Sequence, residues 1–334
     1  MSELTPDATP SGNGTGRTSP LKTSAQLSFS SACPNGLPPK LPPMGTIGIV
    51  SPSGSFEADR LQPALAYLRA RGFRIYEGPS LYAHNRYLAG TDEERAHDIN
   101  TMFADPDVHA IFVARGGYGS ARILEHLNWE AIAQNPKPLI GLSDTTALQL
   151  ALFSMTGLVS FSGLVLCSDI TPDGLSPLTE QSVWQALNHH AFEPIDGLIP
   201  IRSGNLAGGL IGGCLSLFAS LVGTPYMPDC TNGIIFLEDI NEPPYRLDRM
   251  LNQLRMAGVF DRASGVLFGQ FVGCEADKPQ EGTVQDVLED FARGVSCPVY
   301  TNLPYGHGKN RRVMPIGLHG QLVGSQMAVN DLSA

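Results

Sequence analysis

From Thr46 onward the chain alternates between two kinds of apolar spacing. Short continuous apolar runs are separated by stretches in which apolar residues recur every third or fourth position, the signatures of buried strands and of helices with one buried face. Thr46 to Ser51 reads as the first strand, Phe56 to Arg71 as a helix with Leu61, Leu65 and Leu68 on one side, and Phe73 to Tyr76 as the next strand. The rhythm continues with a helix from about Thr91 to Phe103, a strand from His109 to Ala114, a helix from about Ser120 to Leu127, and a strand from Pro138 to Leu142 that leads into another helix. Such alternation predicts a parallel sheet covered by helices on both faces, here a first domain over 44–170. Pro172, Pro177 and Pro194 loosen the pattern, and a connection is expected over 171–205. A smaller β-rich domain is expected over 206–334, with strands at Gly233 to Leu237 and Gly265 to Phe271 and a helix from about Tyr245 to Met256.

The segment before this pattern is different in kind. Residues 1–43 are rich in Ser, Thr, Pro and Gly and poor in large apolar side chains, so they are expected to form a disordered tail that cannot offset the entropy of ordering. Met44 stands directly before the first strand, which makes the tail a candidate dispensable extension. The whole chain has 334 residues, 42% of them hydrophobic, enough for a sizeable core and in keeping with two domains.

Charge and cysteine usage narrow the function classes. The net charge is −10, and the tail carries a slight positive excess (Arg17, Lys22 and Lys40 against Glu3 and Asp7), so the rest of the chain is acidic and nucleic acid is not the expected partner. No apolar stretch reaches the roughly 20 residues a membrane span requires, and no secretory signal is visible at the N-terminus. The expected address is the cytoplasm. Cysteines 33, 167, 214, 230, 274 and 297 are scattered without a C-x-x-C pair, so reduced, buried thiols are expected, with no disulfide and no metal site.

Four segments carry candidate chemistry. In Pro138-Leu-Ile-Gly-Leu-Ser143-Asp-Thr-Thr an apolar strand meets a helix at a Gly-x-Ser turn, a setting that exposes a serine hydroxyl beside helix N–H groups able to receive an oxyanion. Thr145 stands where the usual esterase elbow has glycine, and Ser143 as a simple helix cap is the competing reading. Arg115-Gly116-Gly117-Tyr118-Gly119 follows another strand and offers close backbone approach to a ligand, or merely a tight turn. Ile234-Ile-Phe-Leu237-Glu238-Asp239 ends a strand on two acids, one of which suits the orientation of a histidine while capping suits Asp239 better. Pro304-Tyr305-Gly306-His307-Gly308 presents an unobstructed imidazole in a loop. Together they supply a nucleophile, an acid and a base in the order Ser, Glu, His.

These motifs resemble the LD-carboxypeptidase family of serine peptidases, which also includes microcin-immunity peptidases. The likeness runs from about Thr46 to Gly320 through Gly48-Ile-Val-Ser-Pro-Ser-Gly54, Arg115-Gly-Gly-Tyr-Gly119, Gly141-x-Ser143-Asp-Thr145, Gly208-Gly209 with Leu215-Ser216, Phe236-Leu-Glu238-Asp, Pro244-Tyr-Arg-Leu-Asp248-Arg249 and Gly306-His307 with Pro315-Ile-Gly317. The resemblance implies an α/β protein: a flavodoxin-like N-terminal domain with a parallel sheet that bears the nucleophile, and a smaller β-rich C-terminal domain that bears the acid and the base. It implies Ser143 as nucleophile, Glu238 as orienting acid, His307 as base, and the N–H groups of Gly117 and Asp144 as oxyanion hole. It further implies no cofactor, a homodimer, and release of the terminal D-alanine from a murein tetrapeptide during peptidoglycan recycling. Arg115 and Arg246 are the candidate contacts for the substrate's terminal carboxylate.

Two other functions fit parts of this pattern. A microcin-immunity-type peptidase acting on peptidyl- or aminoacyl-nucleotides would want an aromatic platform beside the site, whereas Trp184 and Trp129 both read as helix packing. A non-enzymatic nucleotide or sugar-phosphate binder is compatible with the fold alone, but it would leave the Ser, Glu and His set unused.

Overall fold

The computed structural model describes residues 36–330. The first unit runs β1 (Thr46–Val50), α1 (Gln62–Ala70), β2 (Arg74–Glu77), α2 (Asp92–Ala104), β3 (Ala110–Val113), α3 (Trp129–Gln134), β4 (Leu139–Gly141), α4 (Thr145–Thr156), β5 (Ser160–Ser162), α5 (Leu166–Asp169) and α6 (Pro177–His189). The second runs β6 (Ile199–Arg202), β7 (Leu206–Cys214), α7 (Leu215–Ser220), β8 (Ile234–Ile240), α8 (Pro244–Met256), β9 (Gly265–Val272), α9 (Val284–Arg293), β10 (Val299–Thr301), β11 (Met314–Ile316), β12 (His319–Val323) and β13 (Gln326–Asn330).

The first sheet has the strand order β11-β5-β4-β3-β1-β2. β1 to β5 are parallel and β11 is antiparallel to β5. Order 2-1-3-4-5 is the flavodoxin-like winding, in which ligands sit beyond the carboxyl ends of the strands. Its central strands are buried along their whole length, which is why they read as unbroken apolar runs. α2 starts on a capping box, with Glu94 N–H donating to Thr91 Oγ1 and Thr91 N–H to Glu94 Oε2. The segment expected as a helix after β3 is a 3-10 helix over 120–126.

The second sheet has the order β13-β12-β7-β8-β9-β10-β6. Its centre, β7 to β10, is parallel, and the flanking pairs are antiparallel. The two units are stitched together rather than strung on a linker. β11 leaves the second unit to pair with Phe161 and its neighbours in the first, and the 171–205 segment contains α6 and the edge strand β6 instead of a plain connection.

The expected tail also needs correction where it can be seen. Leu37 is 8% exposed and Leu41 1%. Leu41 N–H donates to Leu187 O at 2.9 Å, and Gly36 O accepts from Val159 N–H at 2.7 Å. Averaged composition hid two leucines that pack from an extended, proline-rich backbone. The remainder of that expectation, with Cys33, lies outside the described residues. The other five cysteines are free and buried. Among the described residues no helix is long and apolar enough to cross a membrane.

Candidate active site

Ser143 sits at the carboxyl end of β4, on the turn into α4. Its φ is +65°, a left-handed conformation that costs a serine on the order of 1–3 kcal/mol and persists only where the surroundings impose it. The turn lifts Ser143 partly into solvent while Leu142 and Asp144 on either side stay buried. α4 carries no side-chain cap, and Ser143 enters its first turn through its carbonyl, which accepts from Thr146 N–H at 2.8 Å. The departure at Thr145 has a local explanation: the Thr145 side chain lies directly over Gly141, where any Cβ would collide with it. The close strand-to-helix approach is met by a glycine before the serine instead of after it.

The glycine loop after β3 lies against this turn. A Cβ on Gly116 would stand 2.9 Å from Ser143 Cβ and 3.1 Å from its Oγ. Gly54 N–H donates to Gly116 O at 3.1 Å, tying in the turn after β1. Asp144 fastens the far end of the loop: its carboxylate accepts from Ser120 N–H at 2.7 Å and its carbonyl from the Ser120 hydroxyl. Gly117, with φ +106°, is held between these anchors. Behind them Arg95, 1% exposed, donates to Pro52 O and to Gly119 O and pairs with Asp92, which also binds Arg122. Arg95 was not singled out from sequence, although it is a charged residue beside the inward positions Ala96 and Ile99 of α2.

Glu238 lies near the end of β8, level with Cys214 on β7. Its carboxylate is fully buried, and His307 Nδ1 lies 2.7 Å from its Oε2. Gly306, at φ +134°, lets the loop pass so close that a Cβ there would sit 2.9 Å from the same oxygen. Burial pushes the Glu238 carboxyl above its ordinary range, with the His307 hydrogen bond acting the other way. For His307 burial alone would favour the neutral ring, but the hydrogen bond and charge of Glu238 outweigh it and raise the imidazole above its usual 6.5. Asp239 has a separate task. It accepts from Ser216 N–H at the start of α7 and from Ile240 N–H, both at 2.8 Å.

Three contacts bring the two sides together. Cys214 N–H donates to Thr146 Oγ1 at 3.1 Å, joining the strand beside Glu238 to the first turn of α4. The fully buried Tyr305 shares a 2.7 Å hydroxyl–hydroxyl bond with Ser162 on β5, whose backbone is level with Gly141 of β4. Arg311, 3% exposed, pairs with Asp169 and donates to Gly163 O and Gly308 O at 2.8 Å, clamping the histidine loop to the first unit. His307 and Leu142, the residue before Ser143, consequently line one cleft of about 520 Å³ with Asp169, Asp173, Lys309 and Arg311.

Neither of the two arginines expected at the substrate carboxylate is among the residues lining this cleft. Arg115 donates to Ser55 O. Arg246 is exposed on α8, 3.4 Å from Glu242. Arg311, Lys309 and Tyr305 were missed, although the run Gly-His-Gly-Lys-Asn-Arg-Arg places two cations within four residues of His307. Among the described residues no cluster of three or more His, Cys, Asp or Glu side chains is arranged to hold a metal ion.

Comparison with known proteins sets this geometry in context. Residues 47–163 match the model of the LD-carboxypeptidase N-terminal domain, and residues 207–322 that of the LD-carboxypeptidase C-terminal domain. A probable murein peptide carboxypeptidase of Bacillus subtilis is 37% identical over 276 residues, 81% of this chain and 86% of that protein. A murein tetrapeptide carboxypeptidase of Pseudomonas aeruginosa is 32% identical over 296 residues, covering 85% and 94%. The crystal structure of a muramoyltetrapeptide carboxypeptidase from Oxalobacter formigenes superposes with a TM-score of 0.77 at 31% identity, covering 86% of this chain and 99% of that one.

Proposed function

The chain belongs to the LD-carboxypeptidase family and is a peptidase, and on that footing we propose that it releases the terminal D-alanine from murein tetrapeptides by serine catalysis. Ser143 is the nucleophile, His307 the base and Glu238 the acid that orients it. The observation that carries this reading is the left-handed Ser143 at a strand-to-helix turn, beside a cleft whose wall holds a histidine already bonded to a buried carboxylate. Nothing in a plain binding protein calls for that combination.

The roles follow from which atoms are occupied. Glu238 takes His307 Nδ1, so Nε2 is the nitrogen that removes the Ser143 proton. The alkoxide attacks the carbonyl that precedes D-alanine, and the N–H groups of Gly117 and Asp144 receive the oxyanion, each donor lowering the barrier by about 2.7–4 kcal/mol. His307 then passes its proton to the departing amine, and water releases the acyl group. Burial raises the Glu238 carboxyl, and the hydrogen bond and charge of His307, with a smaller pull from Arg311, oppose it and favour the ionised form.

An aminoacyl-nucleotide substrate is less well served, because Trp184 is used up in packing. It stacks on Phe73 at 5.3 Å between ring centroids, and its indole N–H donates to Tyr67. Trp129 packs against Tyr226. Buried, free cysteines suit a reducing compartment, and we place the reaction in cytoplasmic peptidoglycan recycling. The test is to measure alanine release from a tetrapeptide stem, a pentapeptide ending in D-Ala-D-Ala, and hydrolysis of an aminoacyl-nucleotide side by side. Selective turnover of the tetrapeptide is expected, and preference for the nucleotide would replace this reading with the microcin-immunity one.

A further inference from the structure

A carboxypeptidase must recognise the free carboxylate of the residue it releases, and neither Arg115 nor Arg246 lines the cleft that holds His307. We infer that Lys309 is the residue that binds this terminal carboxylate, an inference that rests on the function proposed above. Lys309 lines the cleft that holds His307, two positions further along the same loop. The other cation on this wall, Arg311, is neutralised by Asp169 and spent on backbone carbonyls. The Lys309 ammonium takes part in none of the ion pairs among the described residues.

Its backbone, by contrast, is fixed. The Lys309 carbonyl accepts from the Ser176 hydroxyl at 2.9 Å and from the Thr179 hydroxyl at 3.2 Å, at the start of α6. A pinned main chain with an exposed, unpaired ammonium on a flexible four-carbon stem is a defined but uncommitted charge.

The chemistry of the leaving group places the cation on this side. In D-alanine the amine that His307 protonates and the carboxylate that needs recognition are attached to the same carbon, and the carboxylate lies only about 4 Å from the carbonyl under attack. The carboxylate partner therefore belongs close to the base. Lys309 is where the loop supplies it, and an ammonium–carboxylate hydrogen bond there would be charge-assisted.

The test compares K309A, K309E and K309R with the parent on a murein tetrapeptide with a free C-terminus and on the same peptide as its C-terminal amide. K309A is expected to lower kcat/KM on the free acid roughly 10- to 100-fold, mostly through KM because the contact exists before and during reaction. The parent's preference for acid over amide should shrink to near parity in K309A and reverse in K309E, while K309R stays within a few-fold of the parent. An active parent whose acid-to-amide ratio is unchanged in K309A overturns the carboxylate site alone. A parent that releases no alanine from the free tetrapeptide overturns the proposed function and this inference with it.

Discussion

The turn that carries Ser143 and the cleft wall that carries His307 are held by different forces. On one side Ser143 is placed by the backbone: a left-handed φ, a collision-free passage over Gly141 and Gly116, and main-chain hydrogen bonds to neighbouring turns. On the other side His307 is placed by charge, through one hydrogen bond to a carboxylate with no exposure to water. Backbone placement is insensitive to pH and vulnerable to added atoms. Charge placement is tolerant of shape and vulnerable to neutralisation. Each wall should therefore fail in its own way.

The largest effect is expected from dismantling the charged wall. His307→Ala should lower kcat about 10^5- to 10^6-fold and Glu238→Gln about 10^4-fold, while the double variant is no worse than His307→Ala, because the pair acts as a unit. Steady-state kinetics on the three proteins would check this, and additive losses would mean that the two residues work separately.

The pH profile should divide the walls next. Since Glu238 raises His307 above 6.5, the neutral base appears only as pH climbs through that higher value, and the acid limb of kcat/KM should lie above 6.5. In Glu238→Gln burial and the Arg311 charge both lower the imidazole and outweigh the smaller pull of Asp239, so the limb should fall below 6.5. The same sign applies to stability: the contribution from His307 protonation is fully present below about 6.5 and fades as pH rises through its folded-state value. A limb that does not move in Glu238→Gln would show that some other group sets it.

Gly116→Ala tests the backbone wall. Its methyl would press on Ser143, and a loss of roughly 10- to 100-fold in kcat is expected from misplacing the nucleophile, with the acid limb unmoved. A shifted limb would instead show that the walls are coupled.

The sequence made some of this visible and hid the rest for a physical reason. Strands β1, β3, β4, β8 and β9 were legible because parallel strands buried on both faces are continuous apolar runs. β5, Ser-Phe-Ser, and β11, Met-Pro-Ile, were not, because a lone phenylalanine between serines and a proline-split pair carry no strand signal, and their pairing joins distant parts of the chain. Residue types and settings marked Ser143, Glu238 and His307 as candidates. Which side chains meet across 69 residues, as His307 and Glu238 do, depends on register and docking. Those are fixed by Cys214, Tyr305 and Arg311, whose partners lie too far away in sequence to be read.

The smallest effect is stored at Ser143 itself. Because φ there is +65°, Ser143→Gly should be more stable than Ser143→Ala by about 1 kcal/mol in denaturant unfolding, although neither turns over. Equal stability would remove the case for a strained turn.

Whether Ser143 attacks the bond before a terminal D-alanine is decided by mass analysis of a murein tetrapeptide incubated with the parent and with Ser143→Ala. The parent is expected to convert it to the tripeptide and one free alanine, with no conversion by Ser143→Ala at equal concentration and equal thermal stability. An intact tetrapeptide with the parent, or tripeptide formed at a comparable rate by Ser143→Ala, would contradict this expectation.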